Sequence, residues 1–488
     1  MITQRSRHRN SNSAQPRPSD KTQPTVIIAD GRDRGGTFGT ALRCSEEDLA
    51  LRFSKQHRDD LRFTDLWGQW SIWDGTRWKR DDTLQTFDMV RALCRQAAVG
   101  ADKWKAPRIV RASTVAAVER LAKADRRHAM TVDRWDADPW LLNTPAGVVD
   151  LRTGNLRPAV QEDYCTKITA ASPGGACPLW QEFLDRITAG DIELQAFFQR
   201  MAGYALTGVT QEHALFFLYG PGANGKSVFI NTISGLMGDH ARTAPIETFI
   251  ASTNERHPTD LAGLRGARLV TAVETEDGRH WAESKLKVLT GGDRISARFM
   301  RQDFFDFVPE FKLLIAGNHK PSLRSTDEAM RRRLHLAPFT VTIPVEERDK
   351  ELTEKLRAEW GGILQWMIEG CVAWQCEGLN PPAVVTEATA DYFAEEDTLG
   401  RWIEECCVLG PRHKSPTADL LENWKQWCVW NDEQPSSAKW FSQNLEMRGY
   451  TRERSAKARS FRGIALKKGI APAAGRLISL NPDDFTGE

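Results

Sequence analysis

The stretch Gly220-Pro221-Gly222-Ala223-Asn224-Gly225-Lys226-Ser227 sets glycines, a lysine and a hydroxyl in the order that suits a polyphosphate. Glycine lets the backbone curl so that successive N–H groups point at phosphate oxygens, and a helix that starts at the lysine adds its positive end. Lys226 would neutralise the β- and γ-phosphates of ATP, and the Ser227 hydroxyl would bind Mg²⁺. The competing reading is an ordinary glycine-rich turn. Its flanks argue against that: residues 213–219 are an apolar run suited to a buried parallel strand, and residues 228–233 read as the start of a buried helix.

Hydrolysis needs acids at the tip of a neighbouring strand. Residues 267–273 are strand-like and end in Glu274-Thr275-Glu276, where a period of two points both carboxylates the same way. One would help hold Mg²⁺ and the other act as general base; a solvated acidic loop is the alternative, because Asp277 follows at once. A second apolar run, 311–317, ends in Asn318. Its amide could orient the attacking water or touch the γ-phosphate, although Asn-His-Lys-Pro also suits a turn. In 327–339 come Arg331, Arg332 and Arg333. An arginine here could stabilise charge on the transferred phosphoryl group, often from a neighbouring subunit, or the cluster could be a solvated basic turn closing a helix with acidic residues at its start.

Around these groups the chain divides by pattern. Residues 1–41 form a polar tail expected to be disordered, and 42–178 form a mixed α+β domain. In that domain, aromatics alternate around Asp74-Gly75 from Trp67 to Trp78, a hairpin signal, and the favoured role for those indoles is the core of a small sheet rather than base stacking. Residues 84–127 read as helical, 143–154 as another hairpin, and Pro173-Gly174-Gly175 as a linker. The motor is expected over 179–345, a helical extension broken by Gly361-Gly362 over 346–400, and a last module over 401–488. That module reads as a helix at 417–429, with Leu420, Leu421, Trp424 and Trp427 on related faces, a second helix at 436–448 and a basic hairpin.

Together these motifs resemble the superfamily 3 helicases, in the branch of the phage/plasmid primase-helicases that is related to the poxvirus primase-helicase. The likeness is strongest over 213–339: the glycine loop, Leu264-Arg265-Gly266-Ala267-Arg268-Leu269-Val270 leading to Glu274 and Glu276, Lys287-Val288-Leu289-Thr290-Gly291-Gly292-Asp293, Asn318, and Arg332-Arg333 before Pro338-Phe339. Weaker similarity extends to the flanks. The resemblance implies an α/β, AAA+-like P-loop core with a parallel sheet, preceded by the mixed domain and followed by a winged-helix module. It implies ATP and Mg²⁺ as cofactors and a homo-oligomeric ring, hexameric by the family's habit, that moves 3′-to-5′ on single-stranded or forked DNA. By position, Asn318 is the sensor and Arg332 or Arg333 the arginine finger. A hairpin at 295–307 would carry Arg298 and Arg301 to DNA with Lys287 nearby, and Lys439, Arg452, Arg454, Lys457 and Arg459 would meet phosphates in the last module. A solvated charge is the alternative for each of these.

Composition narrows the field. The net charge is +1, so any grip on DNA comes from local basic patches. The cysteines, nine in all, show no CxxC pair, which fits reduced thiols in a cytoplasm, here that of a bacterial host carrying a phage, plasmid or integrated element. No stretch suits a membrane span. Relatives often carry a primase domain ahead of the helicase; the short leader here is too little to build one, so primer synthesis is not expected. The leading expectation is a replication helicase with possible loading or initiation partners. The competing ones are a bifunctional primase-helicase and an ATP-switched DNA-binding initiator that does not unwind.

Overall fold

The computed structural model describes residues 44–251, 259–274, 278–323, 327–454 and 459–467. The tail expected over 1–41, Glu276 and Lys457 lie outside them, and Glu274 enters by its backbone alone.

The chain begins with helix α1 (Glu46–Gln56), where Ser45 Oγ accepts from the Asp48 N–H at 3.1 Å and caps the first turn. Strands β1 (Leu61–Thr64), β2 (Gln69–Trp73) and β3 (Trp78–Arg80) form an antiparallel sheet with Trp73 opposite Trp78. The turn between them is held by Asp74 Oδ1, which accepts from the N–H groups of Thr76 and Arg77 at 2.9 and 2.8 Å. Trp70 and Trp78 are buried, and their Nε1 atoms donate to Glu119 Oε1 and Gln161 O at 2.8 and 2.9 Å. These indoles therefore fill cores. Helices α2 (Gln85–Val99), α3 (Ala106–Ile109) and α4 (Ala112–Ala124) close a core around Phe53, Val90 and Val118. Where one hairpin is expected at 143–154, three strands form a meander: β4 (Leu141–Thr144), β5 (Gly147–Asp150) and β6 (Asn155–Arg157). Gly147, at φ 135°, permits it, since a Cβ there would lie 2.2 Å from Arg157 O.

The centre of the molecule comprises α5 (Pro178–Thr188), α6 (Ile192–Leu206), β7 (Leu215–Tyr219), α7 (Lys226–Met237), β8 (Ala241–Thr243), α8 (Thr259–Ala262), β9 (Leu269–Glu274) and α9 (Glu283–Gly291). It continues through β10 (Ile295–Ala297), β11 (Phe305–Phe307), β12 (Lys312–Gly317), α10 (Glu328–Arg331) and β13 (Leu334–Pro338). Five strands make one parallel sheet in the order β13-β7-β12-β9-β8, with β10 and β11 pairing apart as a hairpin. The sheet is covered on both faces, which is why its strands are continuously apolar. Phe216 and Leu218 of β7 point to one core, Leu215 and Phe217 to the other, and β12 divides its residues the same way.

Helices α11 (Leu352–Arg357), α12 (Trp360–Glu377) and α13 (Ala383–Glu396) complete those two cores. Gly361 and Gly362 do not break a helix: they begin α12, and a Cβ on either would meet the backbone of Gly174 or Ala176 at 2.6 and 2.7 Å. Nor is 173–175 a slack linker, because the Gly174 N–H donates to Gly361 O at 3.0 Å. Last come α14 (Thr398–Cys406), β14 (Cys407–Pro416), α15 (Thr417–Trp430), α16 (Ala438–Met447), β15 (Thr451–Arg454) and β16 (Arg459–Leu466), around a separate core that includes Trp402, Trp424, Trp427 and Phe441. The three strands lie in the order β14-β16-β15. Among the described residues no helix is long and apolar enough to cross a membrane.

Candidate functional site

The glycine loop joins the C-terminal end of β7 to the N-terminus of α7, so its N–H groups face the same edge of the sheet as the ends of β9 and β12. Two glycines are required by geometry. Gly220 (φ 148°) and Gly225 (φ 86°) adopt backbone that other residues avoid, and a Cβ would meet Phe339 O at 2.2 Å or Ile187 Cγ2 at 2.6 Å. Asn224 is buried and donates from Nδ2 to Phe339 O at 3.0 Å, and the Ile343 N–H donates to Ala223 O at 2.9 Å. The loop is thus fixed to the chain beyond β13.

Lys226 Nζ donates to Gly220 O at 2.7 Å, to Asn224 Oδ1 at 3.1 Å and to Asn318 Oδ1 at 3.2 Å. Its partners are neutral, and burial holds the ammonium below the ordinary lysine range. The register brings this about, since Gly317 pairs with Tyr219 on one side and Glu274 on the other. Asn318 therefore stands between the loop and the end of β9. A cavity of about 350 Å³ opens there, lined by Gly222 to Val228, Val273 and Asn318, with Ser227 exposed beside it.

The arginine cluster is divided. Asp327 accepts from the Met330 N–H at 2.9 Å and starts the short turn of α10. Arg333 turns inward: its Nε donates to Thr290 Oγ1 at 3.2 Å and its Nη1 to Ala329 O at 2.8 Å, and it is 8% exposed. Burial first, and the neighbouring Arg332 second, lower its pKa. Arg331 lies over the Phe393 ring at 5.0 Å, while Arg332 is exposed.

Comparison with known proteins adds a second line. Residues 50–189 match the family described as D5 N terminal like, and residues 218–333 match a family of unknown function (DUF5906). The chain is 25% identical over 319 residues to "Putative helicase L207/L206" of Acanthamoeba polyphaga mimivirus, over 60% of this chain and 33% of that protein. It is 26% identical over 259 residues to "Putative helicase 022R" of Frog virus 3 (isolate Goorha), over 48% and 26%. The chain spans a third or less of the length of these curated relatives. These matches support a likeness to the phage and viral superfamily 3 primase-helicases. Among solved structures it is similar to the A form of the apo C-terminal region of NrS-1, with a TM-score of 0.46 and 9% identity over 86% of this chain and 99% of that one.

The residues expected near DNA fall in two places. The hairpin at 295–307 is β10 and β11, with Ile295 opposite Phe307. Arg301 is exposed at its tip, whereas the Arg298 guanidinium lies 4.6 Å over the Phe304 ring and its Nε is buried with no hydrogen-bond partner among the described residues. Lys287 instead pairs with Asp327, which ties α9 to α10. In the last module Lys439 is exposed on α16, Arg454 faces Arg459 across the strand pair, and Arg452 pairs with Glu446 at 3.5 Å.

Sequence reasoning missed one feature of the site. A second cavity of about 390 Å³ shares Ala223, Gly225 and Val228 with the first and is walled by Leu179, Phe183, Ile343 and Leu352. Its walls come from residues some 160 positions apart in the chain, so no local pattern could have joined them.

Proposed function

We propose that this chain is an ATP-hydrolysing DNA helicase built on an AAA+-like P-loop core, acting in replication of a virus, phage or other mobile element. The observation that carries the reading is the meeting of Lys226 with Asn318 at 3.2 Å, at the C-terminal ends of adjacent parallel strands and beside a cavity walled by a glycine loop. Among the described residues Lys226 has no counter-charge there, and a triphosphate would supply one. The adjoining apolar cavity suits the nucleobase. Ser227 and Glu274 would hold Mg²⁺, which supplies charge neutralisation on the β- and γ-oxygens. Glu276 would take the proton of the attacking water, and Asn318 would orient that water.

Arg332 is the better finger, because it is exposed while Arg333 is spent on Thr290 and Ala329. An exposed arginine can serve the site of a neighbouring subunit, which fits a ring, hexameric by resemblance. A helix, a strand, two helices and two further strands that form one sheet with the first fit a winged-helix module, with Lys439, Arg454 and Arg459 towards DNA. The 3′-to-5′ direction rests on the resemblance. Displacement of a labelled strand from a forked duplex with ATP and Mg²⁺ tests the reading. Wild type should unwind the fork, and Lys226→Ala should bind DNA without unwinding. Hydrolysis and DNA binding with no displacement in wild type would favour an ATP-switched initiator instead.

A further inference from the structure

A cavity of about 570 Å³ opens away from the phosphate loop, where the N-terminal unit meets the β10–β11 hairpin. From the N-terminal side it is walled by Trp67 and Trp135, whose rings stack with centroids 6.4 Å apart and planes at 19°. Trp67 still keeps 38% of its surface exposed, so one indole face is backed by a ring and the rest is open. From the motor side comes Phe299, 41% exposed and packed on Phe305 at 5.7 Å. The Arg265 guanidinium lies 5.1 Å over the other partner of that pair, Phe305. Two half-open aromatic rings, one from the N-terminal unit and one from the hairpin, thus line one space.

The charges around that space decide what kind of ligand suits it. Four cationic and four acidic side chains line it, and one of each, Lys167 and Asp136, is paired at 2.8 Å. A balanced lining gives little long-range pull on a polyanion. What the cavity offers is ring faces, with Arg265 and Arg294 at hand for an occasional phosphate. A duplex hides its base faces against one another; an unpaired strand presents them. Both rings of the site were beyond the sequence reading, which placed Trp67 among core-forming indoles and gave the hairpin's DNA contacts to arginines alone.

We infer that this junction cavity takes unpaired bases of a single nucleic-acid strand, stacked on Trp67 and Phe299, so that the N-terminal unit holds the strand together with the hairpin. The inference rests on the proposal that the protein acts on DNA, and adds that it grips bases at this place rather than backbone alone.

The test compares fluorescence anisotropy of labelled oligothymidine and of an abasic strand of equal length and charge, about 20 nucleotides, in the presence of a non-hydrolysable ATP analogue. Wild type should favour the base-bearing strand by roughly 10-fold, the size of one or two stacking contacts. Trp67→Ala and Phe299→Ala should each lose most of that preference while binding the abasic strand, and a fluorescent ATP analogue, as wild type does. Trp67→Phe should restore part of it, a rescue that a packing defect would not give. The salt dependence of binding should keep its slope in all three, because no phosphate contact is removed. Equal binding of both strands by wild type, or an intact preference in both alanine variants, overturns the inference and leaves the motor reading standing. So does a loss of ring assembly in place of base preference, which would make these rings a subunit contact. Wild type that binds the ATP analogue but neither strand overturns the DNA reading itself.

Discussion

Lys226 and Lys312 stand at opposite ends of the same parallel sheet, and both donate to neutral oxygens. At the C-terminal edge Lys226 reaches Gly220 O, Asn224 Oδ1 and Asn318 Oδ1 beside an open cavity. At the N-terminal edge Lys312 donates to Thr207 O and to Val209 O at 3.2 Å, sealed beneath the Tyr204 ring at 4.7 Å. Beside it Arg268 donates to Leu206 O and Leu141 O at 2.7 and 2.8 Å, joining the N-terminal unit to α6 and the sheet. Burial pushes the Lys312 ammonium well below its usual range, and no ligand can reach it. The same side chain, with the same kind of acceptor, is a fastening at the closed end and, in the proposed function, an anion site at the open one. Access to a cavity, more than the hydrogen bonds made, separates the two. Arg332 and Arg333 repeat the contrast within two consecutive residues.

The comparison can be broken at several points. The largest effect is expected at Arg332: Arg332→Ala should cut ATP hydrolysis by the assembled protein on the order of 10³-fold with an unchanged melting temperature. Arg333→Ala should chiefly lower that temperature, and the reverse pattern would move the finger to Arg333. Lys226→Met should cost roughly 10²–10³-fold in hydrolysis at constant stability. Lys312→Met should instead cost roughly 2–3 kcal/mol of stability, because it strands buried carbonyls, and leave hydrolysis by the folded protein intact. A melting temperature that stays level or rises in Lys312→Met would mean that the buried charge, not its hydrogen bonds, dominates at the sealed end.

The smallest effect concerns His335, stacked on Phe216 at 5.5 Å and held by burial at a pKa of about 4, against 6.5 when free. Between those values the unfolded chain binds more protons than the native one. The stabilisation is therefore complete above pH 6.5 and is lost as the pH falls towards 4. Going from about pH 7 to about pH 5.5 should cost wild type about 1 kcal/mol more than it costs His335→Phe, read as melting temperatures. Equal acid sensitivity in both would remove His335 from the account.

Local chemistry was the legible part of the sequence. The loop at 220–227 is written in adjacent residues, and the apolar runs of β7 and β12 announce strands covered on both faces. Likewise Asp74-Gly75 marks its turn, and the aromatic positions of α15 mark its buried side. Distant pairing was not legible. Whether Arg332 or Arg333 turns inward depends on Thr290, and Lys287 meets a partner 40 positions away in Asp327. Gly361-Gly362 looks like a break because glycine weakens helices, yet here it allows close contact with the 174–176 backbone. The Trp67 and Phe299 rings come together only through the docking of two units.

Helix α7 begins at Lys226, and its far end is tied to the N-terminal unit. There the Ala170 N–H donates to Leu236 O at 2.9 Å, the Asp239 N–H donates to Ile168 O at 3.1 Å, and Arg77, from the tip of the Trp-rich hairpin, pairs with Asp239. Twelve residues of helix span about 18 Å and bend little over that length. The helix is in effect a connecting rod with a bearing at each end: a tilt of a few degrees at the phosphate loop arrives as a displacement of about an ångström at the hairpin that carries Trp73 and Trp78.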